Sequence, residues 1–185
     1  MNSRRKLLLI SGLSGAGKGT IIKKYLELYP DESVLSVSAT TRPPRPGEEE
    51  GVAYFFKTDD EFREMIKEEL FLEYACYVGN YYGTPAEWVR EQMALGKNVI
   101  LEIEQQGAFQ VKEKMPEAVM IFIMPPSEEE LIRRLKGRGS ETEQQIRMRL
   151  AQAEKEKEKI KFYDYVIVNE DVEKSAQKLH NIILC

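Results

Sequence analysis

The sequence predicts an α/β fold with a central parallel β-sheet flanked by helices. Apolar runs bounded by turn-forming residues recur along the chain, and such runs are typical of strands that are buried on both faces of a sheet. These runs lie at 7–10, 34–39, 99–103, 119–124 and 165–168. Segments with helical patterns separate them, and this alternation favours parallel strands joined by helical connections.

Several segments carry clear helix signals. The first ends before Pro30, because proline cannot continue a helix. Thr58 with Glu61 and Ser127 with Glu130 have the spacing of capping boxes, in which side chain and backbone satisfy each other's hydrogen bonds where a helix begins. The predicted helices include 18–29, 59–68, 85–94 and 141–162.

Composition limits the kind of protein that this chain can be. Its 185 residues, 42% of them hydrophobic, can bury one good core. The net charge of -4 argues against binding a nucleic-acid polymer, because such binding needs an excess of lysine and arginine. Cys76 and Cys185 show neither metal-ligand spacing nor a disulfide framework, which is typical of a reducing compartment. The apolar run at 7–10 is too short for a signal sequence or a membrane span, so we expect a cytoplasmic protein without a membrane partner.

Two segments fit the alternation of strands and helices poorly, and we interpret both as flaps on the sheet. Residues 40–82 begin with a proline- and arginine-rich stretch that is followed by short β-like runs, and residues 136–161 are almost entirely polar. The mixed charges at 151–161 indicate a solvated helix face without chemistry. His180 falls within the apolar pattern of the last helix, where packing explains it better than catalysis.

A glycine-rich loop follows the first strand and leads directly into the first helix. Strand, loop and helix in this order form a P-loop, in which backbone N–H groups and the helix N-terminus converge on phosphate oxygens. Lys18 adds a mobile positive charge for the β- and γ-phosphates of a nucleoside triphosphate. Gly19 replaces the usual serine or threonine ligand of Mg²⁺, so either Thr20 takes that role or the ion keeps more of its waters. The predicted phosphate-binding residues are Gly12, Leu13, Ser14, Gly15, Ala16, Gly17, Lys18, Gly19 and Thr20.

A second anion site is predicted at Arg42 and Arg45, which lie three residues apart among prolines. Proline stiffens the backbone and lowers the entropic cost of presenting two guanidinium groups, each of which matches phosphate oxygens. A chance pair of surface arginines is the alternative. Hydroxyl groups at Ser38, Thr40 and Thr41 favour the anion site.

The residues of these two anion sites resemble those of guanylate kinases. The similarity includes the P-loop and SATTRPPRPGEEEGVAYFF at 38–56, and it extends over nearly every residue from Leu7 onward. Further matching segments are FLEYACYVGNYYGTP at 71–85, LEIEQQG at 101–107, IFIMPPS at 121–127, RLKGRGSETE at 134–143 and VIVNED at 166–171. The resemblance implies a P-loop kinase fold in one domain, 1–185, with a core at 1–34, 85–126 and 163–185, a GMP-binding region at about 35–84 and a helical lid at about 127–162.

The resemblance also implies transfer of the γ-phosphoryl group of ATP to GMP, and to dGMP, with Mg²⁺ as cofactor. It assigns the GMP phosphate to Ser38, Arg42, Arg45, Tyr54 and Tyr82, the base to Glu73 and Thr84, and ribose and metal to Glu102 and Glu104. It assigns the transfer step to Lys18, Arg42 and the lid arginines Arg138 and Arg149, and it places Arg134 and Asn169 at the ATP end. Glu104 stands where the family carries aspartate, and an asparagine in a turn would give the same pattern as Asn169.

The chemistry of guanine supports GMP as the acceptor. Its N1–H and exocyclic amine are adjacent donors that one carboxylate such as Glu73 can accept, whereas adenine presents an acceptor at N1. A surface acid is the alternative for Glu73. For the whole chain, the alternatives are a non-catalytic interaction module and a kinase of the same fold that acts on AMP, UMP or a ribose bisphosphate. Lys18 and the lid arginines favour an enzyme over the interaction module.

Overall fold

The computed structural model describes residues 5–137 and 143–185, and over these residues the chain forms nine strands and seven α-helices. The strands are β1 (Leu7–Gly12), β2 (Ser33–Leu35), β3 (Ala39–Thr40), β4 (Phe55–Phe56), β5 (Phe71–Tyr77), β6 (Asn80–Pro85), β7 (Asn98–Glu102), β8 (Val119–Met124) and β9 (Tyr165–Val168). The helices are α1 (Lys18–Leu28), α2 (Asp59–Lys67), α3 (Ala86–Ala94), α4 (Gln105–Lys114), α5 (Glu128–Gly137), α6 (Glu143–Lys157) and α7 (Val172–Leu184). None of these helices is long and apolar enough to cross a membrane.

The central sheet is five-stranded and parallel throughout, with the strand order β2-β7-β1-β8-β9. β1 lies in the middle and is buried along its whole length, which explains why its sequence is a continuous apolar run. The helix α1 packs against α7, α4 packs against β1, and α3 packs against β7. The predicted parallel α/β fold is confirmed.

Most predicted elements are present, but the single strand predicted at 34–39 is wrong. The structure divides this segment between β2 in the central sheet and β3 in a second sheet. Residues that favour an extended backbone are compatible with either sheet, so the local pattern does not show where the chain changes partners. The long polar helix predicted to reach residue 162 ends at Lys157, and Ile160–Phe162 forms a separate 3₁₀ turn.

The second sheet has four strands in the order β4-β3-β6-β5 and combines parallel with antiparallel pairs. It has its own small apolar cluster, in which Phe62 of α2 stacks on Phe71 of β5 with the ring centroids 4.4 Å apart. Lys114 of α4 donates to the Phe71 carbonyl oxygen at 2.7 Å, and the Gln110 side chain accepts the Tyr74 N–H at 3.2 Å. Polar contacts therefore connect this sheet to a helix of the core.

The two predicted capping boxes both mark helix starts, but they form to different extents. Thr58 and Glu61 bond reciprocally at the start of α2. At the start of α5, the Ser127 hydroxyl accepts the Glu130 N–H at 3.2 Å, while the Glu130 carboxylate pairs with Arg134. The Glu130 carboxylate therefore helps to position Arg134 instead of completing the capping box.

Candidate active site

The P-loop connects the carboxyl end of β1 to α1 in the middle of the central sheet. Leu13 and Ala16 are buried and fix the loop to the core, whereas Thr20 at its end is exposed. At Gly17 the backbone has a φ of 90°, and a Cβ there would lie 2.6 Å from the Asn169 side-chain nitrogen. Glycine alone fits a position that is both left-handed and crowded. The glycine spacing that predicts this loop therefore has a physical cause in the fold.

Lys18 is the first residue of α1 and turns its ammonium group back over the loop. The ammonium donates to the Gly12 carbonyl oxygen at 2.7 Å. This contact places a full positive charge beside the N-terminus of α1, where the helix dipole already favours an anion. The loop, the helix end and Lys18 together form a site suited to phosphate groups.

Arg134 and Asn169 are bonded to the backbone of the P-loop. Both donate to the Ala16 carbonyl oxygen, Arg134 at 3.1 Å and Asn169 at 2.7 Å. Arg134 also donates to the Asn169 carbonyl oxygen at 2.9 Å and pairs with Glu130. Asn169 is only 3% exposed, and its side-chain oxygen accepts a hydrogen bond from Ser175. These two residues, which were predicted at the ATP end, brace the loop in this structure.

Arg149 joins the helix α6 to the P-loop, because its guanidinium donates to the Ser14 hydroxyl. Arg147, two residues earlier, is exposed. Arg138, the other predicted lid arginine, lies outside the described residues. One arginine of the predicted lid therefore reaches the phosphate loop from an element far away in the sequence.

The polar run at 151–161 is more than a solvated helix face, which corrects the sequence interpretation. Glu156 is only 9% exposed, and its backbone oxygen accepts the Gln105 side-chain N–H at 2.9 Å. Burial raises the pKa of the Glu156 carboxyl, while a hydrogen bond from Gln152 opposes that rise. Ala153 is buried as well. The helix α6 therefore rests on the start of α4, a contact that the charge pattern could not show because its partner lies in another element.

The residues predicted to bind an acceptor phosphate converge beside the second sheet. Arg42 lies over the Tyr54 ring, with its Cζ 5.4 Å from the ring centroid, and the rings of Tyr54 and Tyr82 meet edge to face at 6.1 Å. Arg45 follows in the same loop and is exposed. Ser38 lies directly before β3 and is partly buried. The structure thus brings the Arg42 guanidinium and two phenol groups together, and Arg45 lies three residues further along the same loop.

Glu73 and Thr84 form a buried polar pair on adjacent strands of the second sheet. They face each other across β5 and β6, and the Thr84 hydroxyl donates to a Glu73 carboxylate oxygen at 2.6 Å. Glu73 is 8% exposed and Thr84 is 0% exposed, so the surface-acid alternative for Glu73 is wrong. Burial raises the pKa of the Glu73 carboxyl, and hydrogen bonds from Thr84 oppose the rise. A carboxylate can accept about four hydrogen bonds, so the pair retains capacity for ligand donors.

Gly107 lies against the buried pair of Glu73 and Thr84, although the sequence pattern predicts no role for it. A Cβ at Gly107 would lie 2.8 Å from the second carboxylate oxygen of Glu73. The first turn of α4 therefore passes directly against the acid. The segment LEIEQQG carried the signal, since a glycine inside a helix often marks a close approach.

Glu102 and Glu104 lie at the carboxyl end of β7, where Glu102 is next to the P-loop. Glu102 ends β7, Glu104 precedes α4, and a Cβ at Gly19 would lie 3.4 Å from a Glu102 carboxylate oxygen. Glu102 as a whole residue is exposed, but partial loss of water around its carboxyl group raises the pKa. The positive charge of Lys18 lowers this pKa, and the negative charge of Glu104 raises it. Across residues 5–137 and 143–185, no three His, Cys, Asp or Glu residues form a metal cluster. Two carboxylates beside a phosphate loop nevertheless suit Mg²⁺, which takes its other ligands from phosphates and water.

Comparisons with known proteins find a matching family and similar chains. The family model described as guanylate kinase matches residues 4–184. The chain is 54% identical over 177 residues to a guanylate kinase of Clostridioides difficile, covering 96% of this chain and 86% of the relative. It is 51% identical over 178 residues to a guanylate kinase of Caldanaerobacter subterraneus subsp. tengcongensis, again covering 96% and 86%. The crystal structure of guanylate kinase from Anaplasma phagocytophilum aligns with a TM-score of 0.74 at 36% identity, over 98% of this chain and 86% of that one.

Proposed function

The chain belongs to the guanylate kinase family, and we propose that it transfers the γ-phosphoryl group of ATP to GMP, and to dGMP, giving ADP and the nucleoside diphosphate. The observation that carries the choice of acceptor is the buried pair of Glu73 and Thr84. A buried carboxylate is costly unless donors satisfy it, and guanine offers two adjacent donors, N1–H and the exocyclic amine. Adenine would turn an acceptor toward the same carboxylate and leave it unmatched.

ATP binds in this proposal with its phosphates on the P-loop at 12–20. Backbone N–H groups of the loop and the Lys18 ammonium face the β- and γ-phosphate oxygens. Arg134 and Asn169 hold the loop in shape through the Ala16 carbonyl oxygen rather than by contacting the phosphates. Arg149 starts from its contact with Ser14 and turns to the phosphoryl group that is being transferred.

GMP binds at the second sheet in this proposal. Its phosphate lies on Arg42 and Arg45, with hydroxyl donors from Ser38, Tyr54 and Tyr82. The Arg42 guanidinium is already stacked on Tyr54, so part of the entropic cost of ordering it is met before the nucleotide arrives. The base reaches Glu73 and Thr84, while the ribose passes beside Glu102 and Glu104.

The chemistry needs alignment and positive charge more than acid–base help. An oxygen of the GMP phosphate attacks the γ-phosphorus, the bond from that phosphorus to the β–γ bridging oxygen breaks, and ADP leaves with the electron pair. The attacking oxygen is already anionic, so no side chain has to remove a proton. Repulsion between the two anions is the main obstacle, and arginines of this kind contribute roughly 10³- to 10⁵-fold in rate. Arg149 and Arg42 supply that charge in this proposal, together with Arg138, which the family resemblance assigns to the same step.

Glu102, Glu104 and Thr20 are the residues available to hold Mg²⁺, directly or through water. Mg²⁺ held by these residues would neutralise part of the negative charge on the phosphates of ATP. Glu102 lies beside the P-loop, and the exposed Thr20 lies in the first turn of α1. A Cβ at Gly19 would be in ordinary contact with a Glu102 carboxylate oxygen at 3.4 Å, so this acid lies directly beside the loop.

Residues at about 35–84 act as the GMP-binding region, and those at about 127–162 act as the lid. Both regions close over the nucleotides, because water would otherwise compete for the phosphoryl group. Structures determined with and without both nucleotides test this motion. A GMP-binding region and a lid that keep the same positions in both would contradict it.

Product analysis tests the proposed reaction. Incubation with MgATP and GMP should give ADP and GDP in equal amounts, and Lys18→Ala should lower kcat/KM at least about tenfold. Lys23→Ala, an exposed lysine on the same helix, is the matched control and should leave the rate unchanged. Binding of GMP without any product would instead indicate an interaction module, and turnover of AMP or UMP in place of GMP would indicate a different kinase.

A further inference from the structure

The loop that carries Arg42 and Arg45 is closed by the carboxylate of Glu48. One oxygen of Glu48 accepts from the Arg42 guanidinium at 2.8 Å, and the other accepts the backbone N–H of Arg45, also at 2.8 Å. A second nitrogen of Arg42 donates to the Pro43 carbonyl oxygen at 2.8 Å. One acid therefore fixes the side chain of the first arginine and the backbone of the second.

This contact is more than an ordinary surface ion pair. The side chains of Arg42 and Glu48 are only 13% and 21% exposed, and Arg42 is also covered by the Tyr54 ring. Arg45 carries the only backbone N–H in the segment 43–46, because the other three residues are prolines. Glu48 takes that single donor. The Arg45 carbonyl oxygen also accepts the backbone N–H of Glu48 at 3.0 Å, so Glu48 is bonded to Arg45 through both its side chain and its backbone.

The contact leaves donors for a phosphate. A guanidinium group has five N–H donors, and Arg42 uses two of its nitrogens for single bonds to Glu48 and Pro43. The side chain of Arg45 is exposed, and only its backbone N–H is engaged by Glu48. A phosphate can therefore bind to both arginines while Glu48 keeps its place. The negative charge of Glu48 then weakens the attraction, but the fixed geometry of the two arginines lowers the entropic cost of binding.

We infer that Glu48 is a positioning residue for the acceptor phosphate, one that presets Arg42 and Arg45 without contacting either nucleotide. This inference rests on the proposed function. In the proposed function the loop binds the phosphate of GMP, whereas the buried Glu73 binds the base. A change in the loop should therefore affect only ligands that carry the phosphate. Loss of Glu48 should weaken binding of GMP and leave binding of guanosine unchanged.

Calorimetric titration of GMP and of guanosine into the wild type, Glu48→Ala and Glu48→Gln tests the inference. Glu48→Ala should weaken GMP binding about tenfold, or about 1.4 kcal/mol, with guanosine affinity unchanged within about twofold. Glu48→Gln keeps one acceptor oxygen and should fall between the wild type and Glu48→Ala. Glu49→Gln and Glu49→Ala, at an exposed neighbour, are the matched controls. In steady-state assays Glu48→Ala should raise KM for GMP and leave KM for ATP unchanged.

Unchanged or tighter GMP binding by Glu48→Ala would overturn the inference, since Glu48 would then be neutral or would compete with the phosphate. Equal losses for GMP and guanosine would also overturn it, because they indicate general damage to the sheet. If Glu48→Ala does not fold, Glu48→Gln gives the same comparison. The two failures are distinguishable: a wild type that turns over GMP with an insensitive Glu48 refutes only this inference, whereas a wild type that neither binds nor phosphorylates GMP refutes the proposed function.

Discussion

Replacing Glu73 with glutamine keeps the size of the side chain while removing its charge and one of its two acceptor oxygens. The remaining oxygen can still accept from Thr84, whose hydroxyl lies 2.6 Å from the carboxylate. The new amide group then presents N–H donors toward the donors of guanine. In contrast, an amide can pair with adenine, which has an acceptor at N1 and a donor in its amine.

The expected loss follows from the burial of Glu73, which is 8% exposed. A hydrogen bond to a charged group is worth about 1.5–3 kcal/mol, and water cannot replace it in a buried position. Loss of one such bond corresponds to roughly 10- to 150-fold in kcat/KM for GMP. We therefore expect the ratio of kcat/KM for GMP to that for AMP to fall by at least about tenfold.

A coupled assay of ADP release, run with GMP and with AMP, measures this ratio for the wild type and Glu73→Gln. Glu113→Gln, an exposed acid on α4, is the control and should keep the wild-type ratio. An unchanged ratio in Glu73→Gln, with the enzyme still active, would refute the assignment of the base to this carboxylate.

Further predictions concern stability, the loop and the lid. Burial raises the pKa of Glu73 above its value in the unfolded chain, so the stability of the wild type falls as the pH rises above that unfolded value. Glu73→Gln should therefore have a higher Tm than the wild type at neutral pH and lose this advantage near about pH 4. The same difference in Tm at both pH values would contradict this prediction. Gly17→Ala would place a Cβ 2.6 Å from the Asn169 side-chain nitrogen at a φ of +90°, so the affinity for ATP should fall at least about tenfold. Gly47→Ala, at a φ of +85° with no neighbour within 4 Å of the added Cβ, is the control and should bind ATP like the wild type. Equal ATP affinities of the two variants would refute the need for glycine at position 17. Arg149→Ala should lower kcat at least about tenfold and exposed Arg147→Ala should not, and similar rates for the two would remove Arg149 from the transfer step.

The P-loop could be predicted from the sequence because its causes are local. The apolar run, the glycine spacing and the following helix all lie in one continuous stretch of the chain, Leu7–Leu28, and the glycines decide the backbone geometry of the loop. The conformation of Gly17 follows from its position at the start of α1. The Thr58 capping box was predictable for the same reason, since its two partners are three residues apart.

The contacts between distant segments could not be predicted in this way. The bracing of the loop through Ala16 and Asn169 joins residues 153 positions apart, and the bond from Gln105 to Glu156 spans 51. The hydrophobic periodicity of the sequence does not predict such pairings, because they depend on the order of the strands in the sheet. The resemblance to known kinases named Glu73, but only the register of β5 and β6 shows that the acid is buried.

The relative kcat/KM for GMP, AMP, UMP and CMP, with MgATP as the donor, is the most direct test of the proposed reaction. A buried carboxylate that accepts two donors from the base should favour GMP over each of the other three by at least about 10²-fold. ADP release that does not depend on GMP, or that is equally fast with AMP, would contradict a guanine-reading site at Glu73 and Thr84.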